Sequence, residues 1–265
     1  MFATPPRQHK RYTSFQMSQS GDTGQSATRL DLALQDRQLR VSASLIGDGP
    51  LAMFVHGWGG STADMLPLAY AFAKAGWRSV VFDMPGHGRS PGRESSLVEF
   101  MRAMRAVSGA VGTPEVIVGH SFGGAAAVLG ITELALPVRG AVLVAPAPGP
   151  AYYVDRFARS IGLPPERTRG MMRHLVERVG RSMESLDAVV AARSAAVPTL
   201  IFHDPADREV PFEFAERMAA AWRGSRLVPA PSLGHKRILR DPQVIASALD
   251  YAAGLVGERS SPRTA

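Results

Sequence analysis

The sequence predicts an α/β protein: an eight-stranded, mostly parallel sheet flanked by helices, with a helical insertion late in the chain. Three observations carry that expectation. Short, nearly continuous apolar runs recur along the chain, as in strands buried on both faces of a parallel sheet. Helix-periodic stretches separate most of them, which is the alternation of a sheet covered on both sides. From about Pro148 to Ala195 the strand signal stops and only helical patterns remain.

In chain order, RLDLAL (29–34) and LRVSASLI (39–46) alternate apolar and polar residues about the polar turn QDRQ, which predicts an antiparallel hairpin. LAMFV (51–55), SVVF (79–82), EVIVG (115–119), GAVLVA (140–145) and PTLIF (198–202) are the buried parallel strands, and RLVPA (226–230) is a weaker eighth candidate. Helices are expected near 62–75, 95–111, 122–132, 212–222 and 241–255. Ser61, Thr62 or Asp64 can cap the first, and Ser95 or Ser96 with Glu99 resembles a capping box for the second.

The insertion carries YYVDRFARSIG and PPERTRGMMRHLVERVGR, enough for two or three short helices. A plain crossover needs only about a dozen residues, so a lid over the sheet edge is the favoured reading and one long crossover with ordinary packing helices the alternative. The expected organisation is a flexible leader at 1–28, a core at 29–147 and 196–256, a helical lid (cap) at 148–195 and a flexible tail at 257–265.

Among 265 residues, hydrophobic types make up 45% and charged types 20%, which excludes wholesale disorder. There is no cysteine, so disulfide scaffolds, thiol catalysis and cysteine-ligated metal sites are excluded. The N-terminus is basic but has no apolar run behind it, and no stretch of about eighteen apolar residues occurs, so neither a signal peptide nor a membrane span is expected. The chain reads as cytoplasmic. A formal charge of +7 invites a nucleic-acid partner until it is located. Residues 1–30 carry an excess of three positive charges, residues 150–195 have eight arginines against five acidic residues, and the segments 31–149 and 196–256 balance. The excess therefore lies outside the predicted core, and no nucleic-acid or membrane partner is expected.

Two loops carry chemistry. GHSFGG (119–124) follows an apolar strand and opens a small-residue helix, the strand–turn–helix setting of a G-x-S-x-G nucleophile elbow. Such a turn projects the Ser121 hydroxyl clear of the backbone, with a helix N-terminus beneath to favour developing negative charge. HGWGGS (56–61) follows the strand LAMFV, at the sheet end where α/β folds bind ligands. The backbone N–H of Phe122 and that of Trp58 form the expected oxyanion hole, and His56, Gly57, Trp58 and Phe122 the expected substrate pocket.

With FDMPGHGRS (82–90), HDPADREVP (203–211) and GHKRIL (234–239) in the same order, the chain resembles the α/β-hydrolase superfamily from about residue 29 to 256. The resemblance implies the α/β-hydrolase fold and a triad in the order Ser121, Asp207, His235. It also implies a serine esterase working without a cofactor or metal on a small-molecule ester or related acyl substrate of small to medium size. Thioester and C–C bond hydrolysis stay open as alternatives, and a non-catalytic receptor is the third. Asp204 stands where the family usually has glycine and is a rival acid to Asp207. Glu209 reads as a solvated loop charge, His203 as support for the acid loop, and His120 as facing away from the reaction.

Overall fold

The computed structural model describes residues 27–33, as backbone, and 40–257. The expected leader up to residue 26, the QDRQ turn and the tail from residue 258 lie outside the described residues. Eight strands form one sheet: β1 (Ala27–Ala33), β2 (Arg40–Ile46), β3 (Leu51–Val55), β4 (Arg78–Phe82), β5 (Val116–His120), β6 (Gly140–Val144), β7 (Thr199–His203) and β8 (Ser225–Pro229). Their order is β1-β2-β4-β3-β5-β6-β7-β8. β1 and β2 run antiparallel to their neighbours, and every pairing from β4 to β8 is parallel.

The helices are α1 (Thr62–Lys74), α2 (Leu97–Val111), α3 (Phe122–Thr132), α4 (Pro150–Ser160), α5 (Pro165–Val179), α6 (Ala188–Ala191), α7 (Glu213–Ala221), α8 (Gly234–Arg237) and α9 (Pro242–Gly257). The strand alternation sorts the core into two layers. Met53, Val55, Ile117, Leu143 and Ile201 point to the face covered by α2, α3, α6 and α7. Ala52, Phe54, Val118, Val142 and Phe202 point to the face covered by α1 and α9. Every residue of the central strands β3, β5, β6 and β7 is buried, which is why these strands read as unbroken apolar runs.

Local signals set the helix starts. The Ser96 hydroxyl accepts the Glu99 N–H at 3.2 Å, capping α2. At α1 the Asp64 carboxylate accepts the Ser61 N–H at 3.1 Å.

Between β6 and β7 the chain makes α4, α5, α6 and two 3-10 turns. The end of this segment is core: Leu186, Ala188, Val189 and Ala192 are buried in the layer of α3. By contrast α5 buries only Leu175. Its flank is held by Arg178 to Glu94 at 2.7 Å and by the two-pronged pair of Arg181 with Glu133 at 2.9 Å.

The core yields a direct stability test. Phe54 is fully buried and meets Phe72 edge-on with ring centroids 5.3 Å apart. Phe54→Ala is expected to lower the unfolding free energy by about 3–5 kcal/mol, read as an earlier urea midpoint with an unchanged slope.

Candidate active site

Ser121 stands between the end of β5 and the first turn of α3 with φ 52° and ψ −121°. A non-glycine residue with positive φ is strained backbone, and here the surroundings impose it. The Ser121 N–H donates to Val144 O at 3.0 Å, while its own carbonyl accepts from Gly124 N at 2.9 Å and Ala147 N at 3.0 Å. The two glycines of the motif make room for the turn. A Cβ on Gly119 would lie 2.8 Å from Gly123 O and 2.9 Å from the Gly124 Cα, and one on Gly123 would fall on the carbonyl oxygens of Val55 and His56. The helix thus starts against the end of β3, which brings the Trp58 loop beside the serine.

Trp58 packs edge-on against Phe122 and His87, with centroids 5.5 and 5.2 Å away. Among the described residues, neither the Trp58 nor the Phe122 backbone N–H has a hydrogen-bond acceptor. Two free donors flanking a serine at a helix N-terminus are what an oxyanion site requires. Trp58 and Phe122 also line a cavity of about 310 Å³ together with Pro150, Tyr153, Phe157 and Arg156. His56 and Gly57, expected in the pocket, do not line it. The His56 ring turns inward and is fully buried, its Nδ1–H donating to Gly57 O at 2.8 Å and its Nε2 accepting from Met84 N at 3.0 Å. Burial lowers its pKa to about 4, so it braces the loop as a neutral ring. Gly57 lies behind the serine, where a Cβ would stand 3.0 Å from the Ser121 Cβ.

On the other side of Ser121, the loops after β7 and β8 meet. His235 Nδ1 donates to Asp207 Oδ2 at 2.7 Å, leaving Nε2 as the basic nitrogen of the neutral ring. Asp207 Oδ1 accepts from the backbone of Glu209 at 2.7 Å and Val210 at 3.1 Å. His203 Nε2 donates to Val210 O at 2.9 Å and lies 3.4 Å from Asp207 Oδ2. Burial pushes the Asp207 carboxyl up, but the bonds from His203 and His235, the charge of His235 and the Glu209 N–H outweigh it and hold the group well below the carboxylate range. Glu209 is half exposed, its carboxylate 4.0 Å from His235 Nε2. No hydrogen bond joins Ser121 Oγ to His235 among the described residues. The partner of Oγ is the Tyr153 hydroxyl of α4, at 3.4 Å.

Asp204 has a different task from its neighbour. It is buried, accepts from Ala206 N at 2.8 Å and from Gly234 N, and so ties the acid loop to the residue before His235. Burial raises its pKa, yet the N–H groups of Ala206, Gly234, Leu233 and Ser232 together hold it below the ordinary value. His120 does not face away. Its Nε2–H donates to His235 O at 2.9 Å and its ring packs on the His235 ring at 4.8 Å. Burial, reinforced by the charge of His235, lowers its pKa to about 3, so it stays a neutral donor. Sequence reasoning missed three contributors: Tyr153, His120 and Asp204 as a tie between loops. The position of Asp204 two residues before Ala206, an Asx-turn spacing, was the one available signal.

A serine on a strained strand-to-helix turn, free backbone donors beside it and an Asp–His pair from the later loops define a hydrolase-type site on a parallel sheet. A sequence model of the alpha/beta hydrolase family matches residues 52–248, and the chain belongs to that family. A Mycoplasma genitalium protein named as an esterase/lipase is 27% identical over 108 residues, a match spanning 39% of this chain and 40% of that relative. Among solved structures, an esterase from Thermogutta terrifontis with bound malate superimposes with a TM-score of 0.63 at 17% identity, covering 86% of this chain and 99% of that one. Est1E of Butyrivibrio proteoclasticus with bound ferulic acid gives 0.66 at 18%, covering 88% and 100%. A bromoperoxidase of Bacillus anthracis gives 0.66 at 17%, covering 86% and 100%. At these identities the structural likeness is one of fold.

The two depressed carboxyls set a pH dependence of stability. A carboxyl held below its unfolded pKa stabilises the fold above that pKa, about 3.9 for aspartate, and the contribution fades as pH falls below it. Stability is therefore expected to decline from about pH 4 downward. Asp207→Asn and Asp204→Asn should each flatten that decline, measured as the urea midpoint at successive pH values.

Proposed function

We propose that the chain is a serine hydrolase that cleaves carboxylic esters of small to medium acyl groups through an acyl-enzyme. The observation that carries the reading is Ser121 in its strained turn with the His235–Asp207 pair, joined at 2.7 Å, packed against the adjoining His120. In this mechanism His235 Nε2 takes the Ser121 proton as Oγ attacks the acyl carbon. The carbonyl π pair moves to oxygen, which the Phe122 and Trp58 N–H groups receive. Collapse expels the alcohol, which takes the proton from His235, and water repeats the sequence to release the acid. Asp207 keeps the imidazole in the tautomer that presents Nε2 as a base.

Substrate size follows from the cavity. A volume of about 310 Å³ lies at the small end of ligand pockets, and aromatic walls suit an apolar group. The name of the Mycoplasma genitalium relative and the fold shared with esterases support ester cleavage. In this reading α4 and α5 act as the lid over the nucleophile. A second cavity of about 640 Å³ lies on the other flank of α4, bordered by Arg156, Arg159 and Arg208 and by the acidic Asp155, Asp187 and Glu213. It favours, as a second reading, a thioester or C–C bond substrate with a bulkier, polar portion. Rates on matched esters and thioesters separate the two.

Wild-type protein is expected to be labelled by a fluorophosphonate and to hydrolyse short 4-nitrophenyl esters. Both should vanish in Ser121→Ala, and wild-type protein inert in both assays would overturn the proposal.

A further inference from the structure

Tyr153 is placed for more than lining a pocket. It lies in the first turn of α4, and the start of that helix is locked to the core. Gly149 has φ 150°, and a Cβ there would meet Leu186 O at 2.5 Å. Pro148 O accepts from Ala188 N at 2.6 Å. The acid loop fixes the same turn from the other side, because Glu209 O accepts from the Tyr152 hydroxyl at 2.9 Å and from the Arg156 guanidinium. Between these anchors the Tyr153 ring packs edge-on to Phe122 at 5.8 Å. Its hydroxyl stands 3.4 Å from Ser121 Oγ, which is its hydrogen-bond partner among the described residues.

At 3.4 Å the two hydroxyls are further apart than a good O–H···O bond, near 2.7–2.8 Å. The contact is therefore a loose resting arrangement, easily exchanged for a stronger acceptor. Tyr153 shares the small cavity with Trp58 and Phe122, whose backbone N–H groups have no acceptor among the described residues. Burial raises its pKa to about 12, so the phenol keeps its proton throughout the working range and is a permanent donor.

We propose that the Tyr153 hydroxyl is a third hydrogen-bond donor to the oxyanion formed at Ser121, supplied by α4 and acting beside the Phe122 and Trp58 N–H groups. The inference rests on the serine-hydrolase reading above. As the Ser121 Oγ–carbon bond forms, the carbonyl π pair passes to oxygen and the serine proton to His235. Tyr153 retains its own proton and turns its O–H from Oγ to the new anion. Neutral before and after, it binds the tetrahedral state more strongly than the uncharged ester, which is the condition for raising kcat rather than lowering KM.

Tyr153→Phe keeps the ring against Phe122 and removes the donor alone. It is expected to lower kcat on a short 4-nitrophenyl ester by about 10- to 100-fold, below the 10²–10³ seen for removal of a principal oxyanion donor, with KM within about twofold. Affinity for a trifluoromethyl ketone, which forms a tetrahedral adduct with the serine, should fall by the same factor. Affinity for the matching methyl ketone, which stays trigonal and uncharged, and the thermal midpoint should not move. Undiminished or increased kcat in Tyr153→Phe, or equal losses of affinity for the trifluoromethyl ketone and the methyl ketone, overturns the proposal. Failure of the underlying reading is distinct, because wild-type protein would then show neither fluorophosphonate labelling nor turnover.

Discussion

The close approach of the α3 N-terminus to the end of β3 is the constraint on which the site depends. It forces Ser121 into positive φ, and it is open only to glycines at 119 and 123, because any side chain would collide with backbone. Strain of this kind costs about 1–3 kcal/mol and persists only where surrounding contacts determine it. Here the bonds of Ser121 to Val144, Gly124 and Ala147 do so. The same approach brings the Trp58 loop beside Ser121 and Phe122, so in the proposed function nucleophile and anion donors arise from a single packing event.

The histidine side of the site is assembled differently. Instead of one tight contact, several polar ties converge on a short helix. Asp204 holds Gly234, Asp207 holds the His235 ring, and His120 holds the His235 carbonyl. The first two link the loops after the neighbouring strands β7 and β8, and the third reaches from β5 past two strands to the loop after β8. His120 also joins the two halves directly, since it adjoins the serine in the chain and grips the histidine in space. Position and protonation are thereby fixed together: the buried rings of His56 and His120 stay neutral while the carboxyls of Asp204 and Asp207 stay ionised.

The sequence-to-structure correspondence follows the range of the forces involved. The eight strands, the five principal core helices and the elbow were legible because period, capping and glycine placement are local. Asp207 and His235 were legible only through resemblance to a family, and the structure brings the two within hydrogen-bond distance. What stayed hidden depends on long-range placement. Nothing in HGWGG shows that His56 turns inward to Met84, because that requires β4 to lie beside β3. Tyr153 looked like any aromatic residue of an amphipathic helix, and its meeting with Ser121 depends on where α4 crosses the sheet edge. Asp204 sat in a glycine position of the family pattern, where rivalry with Asp207 was the natural reading and a tie across two loops was not.

The two helices after β6 differ in how firmly they are held. α4 is fastened at the Gly149 turn and at Glu209, whereas α5 buries one side chain and rests on ion pairs at its end. Substitutions in α5 therefore meet little steric resistance, while those in the first turn of α4 disturb packing around the nucleophile. A lineage can alter the outer surface of α5 without disturbing the packing around Ser121. Sequence change has its cheapest route through residues 165–179, and the neighbouring helix, only a few residues upstream, is closed to it.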